Sequence, residues 1–181
     1  MKTITKAELG VTGSTVRQYM HPGEQEVLLT LIKSVEPHTM VEIGVNVGLT
    51  ARAVLENIPS IERYIGIDVH AAYQFEIPAQ RIEHPGEPGQ LVKDDPRFEL
   101  RLRGAELPHA ADVIFIDGDH GKRAVMADSV WAAAIINHGG LIIWHDYGNP
   151  TVEVTGVLNR LQAQGRNLTH VENTWLVFER R

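Results

Sequence analysis

Met40-Val-Glu-Ile-Gly-Val-Asn-Val-Gly48 is a short apolar strand that runs directly into a turn bearing two glycines. Beyond the turn, Leu49 to Ile58 has helical spacing and is closed by Pro59. Glycines at such a turn let the backbone approach a ligand and adopt conformations closed to residues with a Cβ. The spacing is Gly-x-x-x-Gly, so the Gly-x-Gly-x-x-Gly fingerprint of dinucleotide enzymes is absent. On these residues alone, a tight structural turn and a ligand loop are both open readings.

The same alternation extends in both directions. Pro22 to Lys33 reads as a helix with proline in its first turn and acids near its start. Tyr64 to Ile67 is a second strand that ends in Asp68, and Phe98 to Arg103 alternates as a half-exposed strand does. Asp112 to Asp117, "DVIFID", is a fourth strand. A helix follows from about Lys122 to Ile136, ended by Gly139-Gly140, before a fifth strand at Leu141 to Trp144. After a helix near Val152 to Gln164, "LTHVEN" and "TWLVFE" pair as a terminal hairpin. Strands separated by helices predict a Rossmann-like, doubly wound α/β fold with a mostly parallel sheet and a C-terminal antiparallel hairpin. Ligands in such sheets bind beyond the carboxyl ends of the strands, at the topological switch point.

Residues 1–181 read as one domain, with 1–21 an N-terminal segment and 71–97 a lid or substrate loop too rich in Pro and Gly for a regular helix. Tyr19, Tyr73, Phe75 and His84 are candidate wall residues. The chain carries 17 Lys plus Arg against 23 Asp plus Glu, a formal net charge of -6. That balance argues against nucleic acid and anionic lipid as partners. The absence of cysteine excludes disulfides, thiolate zinc sites and a cysteine nucleophile. The start "MKTITKAELG" has no signal-peptide core, and apolar runs such as "VIFI" are far shorter than a membrane span, so a soluble, cytoplasmic protein is expected.

Two polar clusters fall at strand ends. Asp68 can accept both hydroxyls of a ribose. Asp117 and Asp146 end what this fold makes neighbouring strands, about 4.8 Å apart. Carboxylates so close repel unless a proton or cation lies between them, and Mg²⁺ or Ca²⁺ would satisfy both. The alternative is that Asp117 caps the next helix and Asp146 bonds a loop. His145 can be a ligand, suiting Mn²⁺ or Fe²⁺, or an outer or packed polar group. His120, with an ordinary pKa of about 6.5, suits a general base. Asp119 either orients it or is solvated, and Trp144 reads as core.

From about His21 to the C-terminus the chain resembles the class I S-adenosylmethionine-dependent methyltransferases, through "EIGVNVG", "GID" and "GAE" (Gly104-Ala105-Glu106) in that order. "PGEQEVLLTLI" is similar to a helix of the catechol and caffeoyl-CoA O-methyltransferases. "FIDGDH" with "GGLIIWHDY" looks more like the macrolide-sugar O-methyltransferase and cephalosporin-hydroxylase-like group. The resemblance implies that Gly44 and Gly48 flank the methionine part of S-adenosylmethionine, Asp68 holds the ribose, and Ala105 and Glu106 lie near the adenine. Glu42, Asn46 and Asp117 complete the implied cofactor site. It places metal carboxylates at Asp117 and Asp146, and the proton-removing Lys of the catechol-type enzymes at His120. Two departures stand out: Tyr147 replaces the Asn ligand of the catechol type, and His145 replaces the acid of the antibiotic-tailoring type. The implied activity is metal-assisted O-methylation of a small hydroxylated molecule, often by a homodimer. The alternatives are metal-independent transfer with His120 as base, and a non-catalytic cofactor-binding module.

Overall fold

The computed structural model describes residues 1–17, 19–70, 73–77, 86–106 and 108–181. His84 lies outside the described residues. The elements in chain order are β1 (Lys2–Ile4), α1 (Glu24–Lys33), β2 (Thr39–Ile43), α2 (Leu49–Asn57), β3 (Arg63–Asp68), β4 (Phe98–Leu102), β5 (Ala111–Ile116), α3 (Lys122–Ile135), β6 (Ile136–Trp144), α4 (Val154–Ala163), β7 (Thr169–Val171) and β8 (Val177–Arg180).

These strands form an eight-stranded sheet in the order β1-β7-β8-β6-β5-β2-β3-β4. After β1 at the far edge, the chain takes the central position β2, moves outward through β3 to β4, then returns to the other side of β2 as β5. The switch point therefore lies between the tips of β2 and β5. All pairings from β6 to β4 are parallel, and β8 runs antiparallel to both β6 and β7. The mostly parallel sheet and the terminal hairpin agree with the pattern of apolar runs.

Alternation along the central strands divides the core. Met40, Tyr64, Phe115 and Ile143 point to the face covered by α1 and α2. Val41, Ile65, Ile114 and Trp144 point to the face covered by α3 and α4. Each such apolar side chain contributes roughly 1.5–3 kcal/mol when removed from water. Trp144 is fully buried, and its indole N–H donates to Ser129 Oγ at 2.9 Å, as a core residue's should.

Two expectations need correction. Gly139-Gly140 does not end α3: the helix stops at Ile135, and both glycines lie within β6. They sit where the β5–β6 register jumps, from Ala111 opposite Ile136 to Val113 opposite Leu141. An irregular strand start needs flexible residues as much as a helix end does. The second is that the N-terminal segment 1–21, given no strand by the sequence pattern, contributes β1. It pairs in parallel with β7 at the sheet edge, and three residues are too few to show a period.

Candidate active site

Gly44 brings the tips of β2 and β5 together. Its φ is +91°, and a Cβ there would sit 2.1 Å from the Asp117 carbonyl oxygen. The Asp117 N–H donates to the Ile43 carbonyl at 2.9 Å, closing the same contact. Asn46, with φ of 46°, then turns its N–H onto Asp68 Oδ2 at 2.6 Å, while the Val69 N–H donates to Oδ1 at 2.7 Å. Asp68 thus fastens the turn between β2 and α2, and each oxygen keeps a lone pair for a further donor. Burial raises its pKa, and the two N–H groups oppose that rise.

A cavity of about 780 Å³ opens at this rim. Gly44, Asn46 and Asp68 line it, as do Asp117, His120, His145 and Asp146, so both polar clusters share one space. Tyr19 and Phe75 are also in its wall. A smaller cavity of about 80 Å³ adjoins it, sharing Gly44, Asn46 and Asp117 and bounded by Arg17, Glu42 and Thr50. Glu42 is buried there and accepts the Tyr64 hydroxyl at 2.7 Å; burial pushes its pKa up to about 8.

Other expected residues stand elsewhere. Gly48, at φ +93°, begins α2 and packs toward Val92 and Gly89. Ala105 and Glu106 are exposed and outside the cavity wall, and the Glu106 carboxylate lies 3.4 Å from His109. Arg103 reaches the wall in that region, paired with Asp128 at 2.9 Å. Tyr73 donates its hydroxyl to Asp119 at 2.8 Å and its ring meets that of Phe75 edge to face. Tyr147, at the position of the catechol-type Asn, donates to Asn159 at 3.1 Å.

At the centre, ligand atoms of Asp117, His120 and Asp146 all lie within 4.8 Å of one another. His120 Nε2 is 3.4 Å from Asp117 Oδ1 and 3.2 Å from Asp146 Oδ2. Asp146 has φ of 64°, a strained conformation for a residue with a side chain, and Asn149 holds its other oxygen at 2.6 Å. His145 lies behind this trio and is only 4% exposed. Its Nδ1 is 3.2 Å from Asp117 Oδ1 and 3.4 Å from Asp146 Oδ2, and its Nε2 is 3.2 Å from Glu24 Oε1. Burial alone would lower the His145 pKa, but Asp117, Asp146 and Glu24 outweigh it and hold the ring well above the usual histidine range. The same contest, with Asp117 and then Asp146 prevailing over burial, raises His120. Burial acts to raise Asp117, but His145 and His120 prevail and leave it well below the usual carboxylate range.

Asp117 does not cap α3. The cap residue is Gly121, and the first N–H groups of that region go elsewhere: Gly121 to Asp119, Lys122 to Glu153, and Arg123 and Ala124 to Glu76. Asp119 is neither solvated nor set on His120, because Tyr73, Glu76 and Gly121 take its oxygens. Several site residues were missed from the sequence. Glu24 is fully buried and also accepts the N–H groups of His21 and Trp175, at 2.7 and 3.0 Å. Its place in the first turn of α1 made it look like a helix-dipole acid. Arg17, Trp131 and Trp175 had no periodic signal pointing to the site.

A methyltransferase-domain family model matches residues 41–147 of the chain, the span holding every strand of the switch point and both clusters. No curated protein sequence matches. An O-methyltransferase from Bacillus cereus in complex with SAH superposes with a TM-score of 0.62 at 18% identity, covering 97% of this chain and 87% of that one. A putative O-methyltransferase from Klebsiella pneumoniae gives 0.61 at 19% identity, over 97% and 86% of the two chains. A spermidine synthase from Thermotoga maritima gives 0.59 at 17%, over 86% and 58%. With its fold that of the class I S-adenosylmethionine-dependent enzymes, the chain belongs to the methyltransferase-domain family.

Proposed function

We propose that the protein transfers the methyl group of S-adenosylmethionine to a hydroxyl oxygen of a small acceptor, with a divalent cation held by Asp117, His120 and Asp146. The observation that carries this reading is the gathering of those three side chains within 4.8 Å, facing the cavity that Gly44 and Asp68 also line. Two carboxylates and an imidazole fit a cation of the Mg²⁺ to Mn²⁺ or Fe²⁺ range. Asp117 and Asp146 raise the pKa of His120 against the effect of burial, so the cluster favours positive charge at this point. When bound, such a cation lowers the pKa of a hydroxyl it contacts.

The chain's own residues supply the rest. Asp68 offers acceptors for the two ribose hydroxyls of the cofactor. Gly44, without a side chain beside Asp117, would leave room for the cofactor's sulfonium there. His145, held between Glu24 and the two aspartates, keeps those carboxylates together as a counter-charge. We assign it that role, and give the third ligand position to His120. Aligning the acceptor oxygen with the methyl group is worth roughly 7–11 kcal/mol when the geometry is near attack. We read residues 71–97 as the lid that excludes water.

Metal-free transfer with His120 as base is the weaker reading, because the two neighbouring carboxylates favour the charged ring, which cannot accept a proton. The test uses protein dialysed against EDTA. Calorimetry with S-adenosylhomocysteine and with Mn²⁺ should give one site for each, and labelled methyl transfer to a panel of catechols and polyols should need the metal. Transfer that survives the chelator, with no heat on adding Mn²⁺, would remove the cation from the proposal.

A further inference from the structure

We infer that the outer edge of β4 is a surface on which two copies of this chain pair, strand against strand and antiparallel, about a two-fold axis at Leu100. The two ends of the sheet differ. At one end β1 is three residues long and carries Lys2, a charge of the kind that blunts an open edge. At the other, Phe98-Glu-Leu-Arg-Leu102 runs five residues with no proline, lysine, glycine or bulge. Leu100 and Leu102 are 40% and 43% exposed there, the opposite of what a solvent-facing edge needs.

The backbone of β4 specifies the partner. The Arg97 carbonyl accepts the Tyr64 N–H at 2.8 Å and the Arg103 N–H donates to the Asp68 carbonyl at 2.7 Å, so alternation turns the groups of Phe98, Leu100 and Leu102 away from β3. Turns at the strand ends close two of these. The Phe98 N–H donates to the Asp95 carbonyl and the Ala105 N–H to the Leu102 carbonyl, both at 3.0 Å. Among the described residues no hydrogen bond reaches the other four: the Phe98 carbonyl, both groups of Leu100 and the Leu102 N–H. An antiparallel copy centred on Leu100 uses these four and no others. Leu100 exchanges two bonds with Leu100 of the second copy, and each Leu102 N–H meets the other copy's Phe98 carbonyl.

The side chains agree with that register. Glu99 faces Arg101 of the second copy, and Arg101 its Glu99, at the closely spaced positions of the ladder. Centring the axis on Glu99 or on Arg101 instead would set like charges opposite one another. Glu99 already accepts from Arg63 at 2.7 Å and from Arg101 at 2.6 Å within its own chain, so pairing extends an existing network. On the other face Phe98, Leu100 and Leu102 of both copies form one apolar row that covers the exposed leucines. Four hydrogen bonds and a single row are few for a permanent complex, so the dissociation constant should lie on the order of 1–100 µM.

The test is sedimentation equilibrium on the full chain, joined to a cross-link. The wild-type chain should pass from monomer to dimer as its concentration rises from about 1 to about 500 µM. Leu100→Lys sets two ammonium groups against each other, and Leu100→Pro removes an N–H that β3 does not use. Each should weaken association roughly tenfold or more while the circular dichroism spectrum stays that of the folded chain. Because the chain has no cysteine, Leu100→Cys carries a single thiol. Mild oxidation should join two copies through it, since facing residues of a hydrogen-bonded antiparallel pair lie about 5.5 Å apart. Val130→Cys, 60% exposed on α3, should not cross-link under the same conditions. A wild-type chain that sediments as a monomer throughout, or a dimer that survives both changes at Leu100, overturns the inference. So does a cross-link that forms no faster at position 100 than at position 130, and that comparison decides alone if Leu100→Lys and Leu100→Pro fail to fold.

Discussion

Glu24, in the first turn of α1, and His145, just past the tip of β6, stand 3.2 Å apart in the interior behind Asp117. The contact joins a helix that precedes the first central strand to the second of the two acidic strand ends. It gives the imidazole a carboxylate on each side, which is why Asp117 and Asp146 can sit together in a buried place.

Glu24→Gln should therefore act at a distance. The amide keeps one acceptor oxygen, enough for only one of the His21 and Trp175 N–H groups that now bond to separate oxygens, and the charge facing His145 is gone. Removing one partner of a buried ion pair costs about 3–5 kcal/mol. Chemical denaturation should show a loss of that order. Mn²⁺ affinity, followed by calorimetry, should fall roughly 10- to 100-fold, as it does when the outer partner of a metal site is removed. An unchanged unfolding midpoint would mean that His145 does not depend on Glu24.

Asp117→Asn separates the two halves of the site. Stimulation by divalent ions should fall sharply, because Asn keeps a carbonyl oxygen but loses the charge that holds the cation, while S-adenosylhomocysteine still binds. Persistent stimulation would put the cation elsewhere. Asp68→Ala should do the reverse, weakening S-adenosylhomocysteine by about 1–3 kcal/mol as the ribose hydroxyls lose their acceptor. Because Asp68 also holds the Asn46 N–H at 2.6 Å, the same change should lower the melting temperature.

Gly44→Ala tests the contact between strand tips. The left-handed conformation costs a residue with a Cβ about 1–3 kcal/mol, and the overlap with the Asp117 carbonyl adds a comparable amount. Denaturation should report the total. A variant as stable as the parent would show that the two tips are free to part.

Glu42 makes stability depend on pH. In the folded chain its pKa rises from the ordinary 4.5 to about 8, chiefly through burial. The folded protein therefore binds this proton more tightly than the unfolded one does. The stability it contributes is complete below about pH 4.5, falls by ~1.4 kcal/mol per pH unit above that, and is lost once pH passes 8. Glu42→Gln keeps an acceptor for the Tyr64 hydroxyl and cannot ionise. The difference in unfolding free energy should move toward the variant between about pH 5 and pH 8. A constant difference would show that Glu42 titrates normally.

The parts of this molecule that were legible from sequence are those governed by strand direction. In "VIFID" and "LIIWHD" the apolar body and polar end of each strand are contiguous, so a parallel sheet delivers Asp117 and Asp146 to one rim. The Gly-x-x-x-Gly turn and Asp68 follow the same logic. What escaped the reading comes from contacts between distant segments. Arg17 lies in irregular chain, and Glu24 looked like an acid placed for the helix dipole. Ala105 and Glu106, placed near the adenine by resemblance, are exposed and outside the cavity wall, which Arg103 reaches. Gly139-Gly140 shows the ambiguity of glycine, which serves an irregular strand start as readily as a helix end.

Glu76 accepts the N–H groups of Arg123 and Ala124, so the segment carrying Phe75 is fastened to the first turn of α3. Lifting that segment off the cavity exposes two amide hydrogens, at a cost of about 0.5–2 kcal/mol for each cap of this kind. On the lid reading proposed above, fraying of the α3 start would accompany opening, and amide exchange at Arg123 and Ala124 should slow when S-adenosylhomocysteine is bound.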